Sequence, residues 1–97
     1  MLKGYWIVRL DVTSPDAYAQ YASSTPAILS AFGGRFLARG GRHEVVEGSA
    51  RARNTVIEFP NYEAALACYR SPEYQAVREK RLGAAQIDIV VIEGYQG

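Results

Sequence analysis

The chain has one cysteine, Cys68, and one histidine, His43. A lone cysteine excludes an intramolecular disulfide, so the fold holds without the staples of small secreted domains. With one histidine and no spacing of His, Cys and carboxylates that resembles a ligand set, no metal site is expected. Charge of one sign is also missing: eleven Lys and Arg stand against ten Asp and Glu, a formal net charge of +1. That balance gives no global attraction to nucleic acid or to an anionic membrane, and no nucleic-acid module is present. No apolar run approaches the roughly 18 residues of a membrane helix. Near the N-terminus, Arg9 and Asp11 interrupt the apolar residues too early for the core of a secretion signal. No glycine-rich loop follows a strand and opens a helix, so a nucleotide is not implied and no cofactor is expected. The expectation is a cytoplasmic protein with no nucleic-acid or membrane partner.

What is present is ordinary for a folded domain: 97 residues, 48% hydrophobic and 22% charged. One domain spanning 1–97 fits that length. A chain this short buries only about 60–65% of its unfolded surface, so self-association is a natural way to bury more. Tyr5 to Val12 alternates, with Trp6, Val8, Leu10 and Val12 on one apolar face, and reads as a strand. Ser14-Pro15-Asp16 opens a helix, with Ser14 as cap. Tyr18, Tyr21, Thr25, Ile28, Leu29 and Phe32 form its stripe. Pro26 predicts a kink or break near Ser23–Thr25, and Gly33-Gly34 predicts the helix end.

Arg35–Arg39 reads as a strand, Gly40-Gly41 as a turn, and Glu44–Glu47 as a returning arm. Asn54–Phe59 is the next strand. Asn61 caps a helix to Arg70, and Ser71-Pro72-Glu73 starts another toward Leu82, with Lys80 and Arg81 in its last turn. Gln86–Glu93 is the final strand. The order β-α-β-(β)-β-α-α-β predicts an α+β, ferredoxin-like fold: a four-stranded antiparallel sheet with helices on one face. The other face still carries Ile7, Val56, Val90 and Ile92. Leaving it wet costs about 25 cal/mol per Å². A second copy is the natural cover, so a homodimer through the sheet face is expected.

Several blocks in order, Phe32-Gly33-Gly34-Arg35-Phe36-Leu37-Ala38-Arg39-Gly40-Gly41, Glu47-Gly48, Ile57-Glu58-Phe59-Pro60 and Tyr69-Arg70-Ser71-Pro72-Glu73-Tyr74-Gln75, resemble the uncharacterised bacterial family known as domain of unknown function 1330. The resemblance covers nearly the whole chain. It implies membership of the dimeric α/β-barrel superfamily, in which two ferredoxin-like subunits face each other through their sheets. It implies no settled activity. The superfamily includes cofactor-free monooxygenases, lactone isomerases, haem-handling enzymes and ligand-binding proteins, and fold analogy alone does not choose among them. In relatives of this fold the cleft between the sheet and the first helix often holds a small molecule.

Three constellations carry chemistry. Arg9, Asp11, Glu58 and Asp88 fall on the sheet face away from the helices, and Arg39 closes its strand nearby. Carboxylates there could serve as acid or base and arginine could hold an anion, while the plainer reading is an ion-pair network. Arg39-Gly40-Gly41-Arg42-His43 joins an arginine to the one side-chain type that titrates near neutrality, or is simply a tight turn. Trp6, Tyr18, Tyr21 and Phe32 suit a planar aromatic ligand between sheet and helix, or are plain core. The candidate site is therefore Trp6, Tyr18, Tyr21, Arg9 and Glu58 for binding, with His43 and Arg39 as catalytic candidates. The reading is a small homodimeric protein binding a small organic molecule, any monooxygenase- or isomerase-like catalysis being cofactor-independent. The alternative is a non-enzymatic dimeric sensor or interaction module. Whether it is an enzyme at all is left open.

Overall fold

Alternation along the first strand sets the layers. The computed structural model describes residues 1–97. In order they form β1 (Gly4–Val12), α1 (Pro15–Ala31), β2 (Arg35–Arg39), β3 (Arg53–Phe59), α2 (Tyr62–Arg70), α3 (Pro72–Arg78), a 3₁₀ turn (Glu79–Arg81) and β4 (Ala85–Glu93). The sheet runs β2-β3-β1-β4 with every neighbouring pair antiparallel. This is the α+β, ferredoxin-like arrangement expected from the element order. Trp6, Val8 and Leu10 of central β1 turn inward against the helices and are buried, whereas Ile7 and Arg9 turn outward. The molecule measures 39 × 36 × 17 Å, flat because only one face of the sheet carries helices.

Trp6 anchors the core. It is 1% exposed. Its indole Nε1–H donates to the Ala65 carbonyl of α2 at 2.9 Å. Its ring packs on Phe59, Tyr69 and Tyr74 at centroid distances of 5.4, 5.8 and 5.1 Å. Such edge and tilted contacts stabilise beyond simple burial. Gly4, on the same strand, lets α2 sit this close: a Cβ there would run into the Asn61 carbonyl and lie 2.7 Å from Tyr62 Cα.

Local signals work where their partners are in place. Asn61 caps α2, its side chain accepting from Ala64 N–H at 2.7 Å. Ser71 Oγ accepts from Tyr74 N–H at 3.1 Å and donates to the Cys68 carbonyl at 2.7 Å, joining α2 to α3. At the end of α1, Gly33 takes φ +79°. Its N–H donates to the Ser30 carbonyl and that of Gly34 to the Leu29 carbonyl, at 2.9 and 2.8 Å, closing a Schellman turn.

Three expectations are corrected. Ser14 makes no side-chain cap, although Pro15 follows it. The start of α1 is held instead by Thr13 and Ser14 N–H groups donating to the Ala84 carbonyl at 2.8 and 2.9 Å. Pro26 does not break α1, which runs unbroken from Pro15 to Ala31. Glu44–Glu47 is not a strand. Its adjacent valines do not alternate, so pairing would bury only one, and Val45 and Val46 are exposed. Lys80 and Arg81 do lie in the last turn, within the 3₁₀ segment, and Arg81 is buried there. No helix is long and apolar enough to cross a membrane.

Truncating Trp6 should expose how much rests on it. Trp6→Ala is expected to lower stability by about 3–5 kcal/mol, and Trp6→Phe, which keeps a ring but loses the donor, by less. Urea unfolding measures both.

Candidate functional site

Small side chains on β1 and β3 leave space beneath α1. A cavity of about 350 Å³ opens between the inner face of the sheet and that helix. Val8, Leu10, Ile57 and the edge of Trp6 form the sheet wall; Tyr18, Tyr21, Ala22, Thr25 and Leu29 form the helix wall. Phe36, Arg39, Gly40, Arg53 and Thr55 close the end where β2 leaves the sheet and β3 enters it. Both charged groups lining the cavity are arginines, and no carboxylate lines it.

Arg39 reaches this cavity because β2 is irregular. Arg35 pairs with Glu58 and Phe36 with Ile57, but Ala38 pairs with Val56, so Leu37 is an extra residue in a bulge. Strict alternation would put Arg39 on the outer face with Arg35. The bulge moves it to the inner face opposite Thr55. The sequence-based placement of Arg39 beside the outer charge cluster is thereby corrected. Its guanidinium lies 4.3 Å from the Phe36 ring centroid. Nη2 donates to the Ala22 carbonyl at 2.9 Å. In a regular helix that carbonyl accepts from the N–H of residue 26. Residue 26 is proline and has none, so the carbonyl lacks its helical donor and accepts instead from Arg39 and, at 3.3 Å, from the Thr25 hydroxyl.

Tyr18 and Tyr21 stay protonated. Tyr21 and Tyr74 hydroxyls are 2.6 Å apart in the buried core. Burial, then the Tyr74 hydroxyl, pushes Tyr21 well above the ordinary phenol range. Burial also raises Tyr18, with Arg53 pulling the other way. Neither is a base at neutral pH. Cys68 is fully buried, and burial pushes its thiol up to about 12, so it is no nucleophile.

Of the residues predicted from sequence, Trp6, Tyr18, Tyr21 and Arg39 share this cavity. The others do not. His43 is exposed, its Nδ1 lying 3.2 Å from the Gly41 carbonyl. It lines a separate shallow depression with Arg9 and the 44–50 segment. The outer charge cluster splits in two. Glu58 accepts from Arg35 Nε and from the Tyr5 hydroxyl, both at 3.1 Å. Asp11 accepts from the Ala52 N–H and from Arg51 Nη1, both at 2.8 Å, while Arg51 Nε bonds Asp88 at 2.7 Å. Arg9 joins neither ion pair. Arg35 holds Glu58 below the usual carboxylate range; the Ala52 N–H, then Arg51, does the same for Asp11. Sequence reasoning missed Arg51 and Arg53, which sit in or beside a loop, and Phe36, whose inward parity a five-residue strand does not announce.

Comparison with known proteins places these features. The family described as "Domain of unknown function (DUF1330)" matches residues 3–95. No protein of curated function matches the chain. Among solved structures, a protein of unknown function from Rhodopseudomonas palustris is similar over 99% of this chain and 85% of its own, at 15% identity and a TM-score of 0.76. SnoaB, a cofactor-independent oxygenase from Streptomyces nogalater, is similar over 100% and 97%, at 12% identity and a TM-score of 0.66. A dimeric ferredoxin-like protein of unknown function from Thermobifida fusca is similar over 98% and 92%, at 13% identity and a TM-score of 0.61. These likenesses establish the fold.

Pro26→Ala should restore the helical bond to the Ala22 carbonyl and compete with Arg39 for it. The expected result is a gain of about 1–2 kcal/mol in urea unfolding, most of the interior-proline cost less the chain entropy that proline removes. On the outer face, Asp11 titrates lower folded than unfolded. Its stabilisation is present above the unfolded value of about 3.9 and is lost as pH falls through the lower folded value. Asp11→Asn should therefore flatten the acid limb of a stability–pH profile and leave its neutral-to-basic shape unchanged.

Proposed function

The chain belongs to the DUF1330 family, whose function is unknown, and from its cavity we propose that it binds a small planar organic anion between α1 and the sheet, as a homodimer. The observation that carries this reading is Arg39, turned inward by a bulge and pinned by the Ala22 carbonyl that Pro26 leaves without its helical donor. Arg39 and Arg53 supply positive charge. Tyr18 and Thr25 can orient polar substituents, and the apolar walls favour a ring. The cavity volume of about 350 Å³ suits one small molecule.

With no carboxylate or imidazole lining it, the cavity holds an anion but does not generate one. A fitting ligand ionises by itself near neutral pH, as hydroxyquinones do. Turnover, if the bound ligand reacts, would draw on the ligand's own reactivity, with Arg39 stabilising developing negative charge. The likeness to SnoaB favours oxygenation as the enzymatic form of this reading, although at that identity fold and reaction are separate matters. A binding module without turnover is the second form, favoured by the missing base.

The homodimer is supported by the outer face. Leu37, Val90 and Ile92 are 48%, 56% and 50% exposed there, beside half-buried Tyr5, Ile7 and Val56. Apolar area of that kind on a sheet face suits self-complementary cover by a second copy, and the similar protein from Thermobifida fusca is described as dimeric.

A hydroxynaphthoquinone should raise the melting temperature of the wild type, and Arg39→Met should weaken its binding about tenfold or more. Absence of any shift with planar anions, or equal binding by Arg39→Met, would sink the proposal. Oxygen uptake with a naphthalene diol then separates enzyme from binding module. Light scattering should give a dimer at micromolar concentration and a monomer for Val90→Lys; a monomeric wild type would refute the assembly.

A further inference from the structure

A second cavity, of about 280 Å³, lies at the β4 end of the sheet. Ile87, Ile89 and Val91 from the inner face of β4 and Tyr69 from α2 give it apolar walls. Arg78 and Arg81 complete it. These arginines are the anomaly. Arg81 is 6% exposed, so its cation is withdrawn from water. Its Nη2 reaches the Tyr74 hydroxyl only at 3.5 Å, and its guanidinium lies 5.2 Å from the Tyr21 ring centroid. That is little for a group with five donors. The Nε of Arg81 has no hydrogen-bond partner, and neither does the equally sealed Nε of half-buried Arg78. Neither arginine forms an ion pair; the pairs of the chain belong to Arg35 and Arg51. A buried cation without an anion is costly, and so is each unused buried donor.

We propose that this cavity is a binding site for a small branched aliphatic carboxylate. A carboxylate offers two acceptor oxygens in a plane, matching the guanidinium fork. It would supply the counter-charge that Arg78 and Arg81, which line the cavity and form no ion pair, lack. The branched tail would lie against Ile87, Ile89 and Val91, which a phosphate or sulfate leaves without apolar contact. The volume is near the roughly 300 Å³ lower end of ligand pockets, which favours a short acid over a long-chain one. The site is separate from the cavity under α1: none of the residues lining one lines the other. Its failure or success is therefore independent of that reading.

Isovalerate titrated into the full chain tests the proposal, read by the Nε–Hε NMR resonances of Arg78 and Arg81. Both resonances should shift with saturation and gain protection from exchange, while isovaleramide, the same shape without charge, should move neither. Arg78→Met should weaken isovalerate binding about tenfold or more, and Arg39→Met should leave it unchanged. Arg78 is the residue to vary because Arg81→Met also removes a core contact; the wild-type comparison of acid and amide stands even if a variant does not fold. Equal binding of the amide, tighter binding of inorganic phosphate, or no saturable shift with isovalerate overturns it. So does an Arg78→Met variant that keeps its isovalerate affinity. If isovalerate fails and Arg78→Met instead dissociates the dimer, the anion is a carboxylate side chain of a second copy, and the proposal falls.

Discussion

Burying an indole in the middle strand of a sheet requires an acceptor for its N–H where water does not reach. Trp6 finds one in the Ala65 carbonyl, and much of the architecture follows. The bond sets how closely α2 lies over β1, and Gly4 keeps the approach free of a clash. The ring gathers Phe59, Tyr69 and Tyr74 around it. Tyr74 in turn meets the Tyr21 hydroxyl and so ties α1 to the cluster. The large aromatics are thus concentrated under α2 and α3. Under α1 the sheet presents mainly Val8, Leu10, Thr55 and Ile57, and there the cavity remains. The open space is the complement of a densely filled aromatic half.

At the rim of that space the chain departs twice from regular structure. A proline sits inside α1, and an extra residue sits in β2. Each departure weakens its own element: the proline removes a helical hydrogen bond, the bulge a rung of the ladder. Both act on the same guanidinium, one by turning Arg39 inward and the other by giving it an acceptor. Local irregularity concentrated on a single side chain is the pattern of a site for which some stability has been given up.

Most of the fold was legible in the sequence because its signals are local. Alternation in Tyr5–Val12, the Asn61 cap and the Gly33-Gly34 stop depend on neighbours within a few residues, and each was found where expected. The same locality explains the failures. Ser14 carries the same Ser-Pro-acid signal as Ser71, yet only Ser71 caps; the start of α1 is held by the Ala84 carbonyl, far away in sequence. Lys80-Arg81 reads as the basic last turn of a helix, and only the tertiary packing around the Tyr21–Tyr74 pair shows that Arg81 is inside. The candidate site was half legible. The strand alternation that turns Trp6 inward and the helical spacing of Tyr18 and Tyr21 brought these three to one cavity, while Arg9, Glu58 and His43 lie elsewhere. Arg39 was named for its neighbouring glycines and is in the cavity for another reason. Nothing in five residues of alternating character discloses a bulge.

That bulge bears on how related chains are to be compared. Side chains in a strand follow a two-beat rhythm, and Leu37 is an off-beat. A relative of equal length whose second strand lacked the bulge would keep every strand and helix, yet its arginine at position 39 would point out of the sheet; a relative lacking the extra residue would restore the alternation and keep its arginine inward, opposite Thr55. Identity at position 39 has meaning only together with the regularity of β2. A census of relatives should sort them by whether the off-beat residue is accommodated before sorting them by residue.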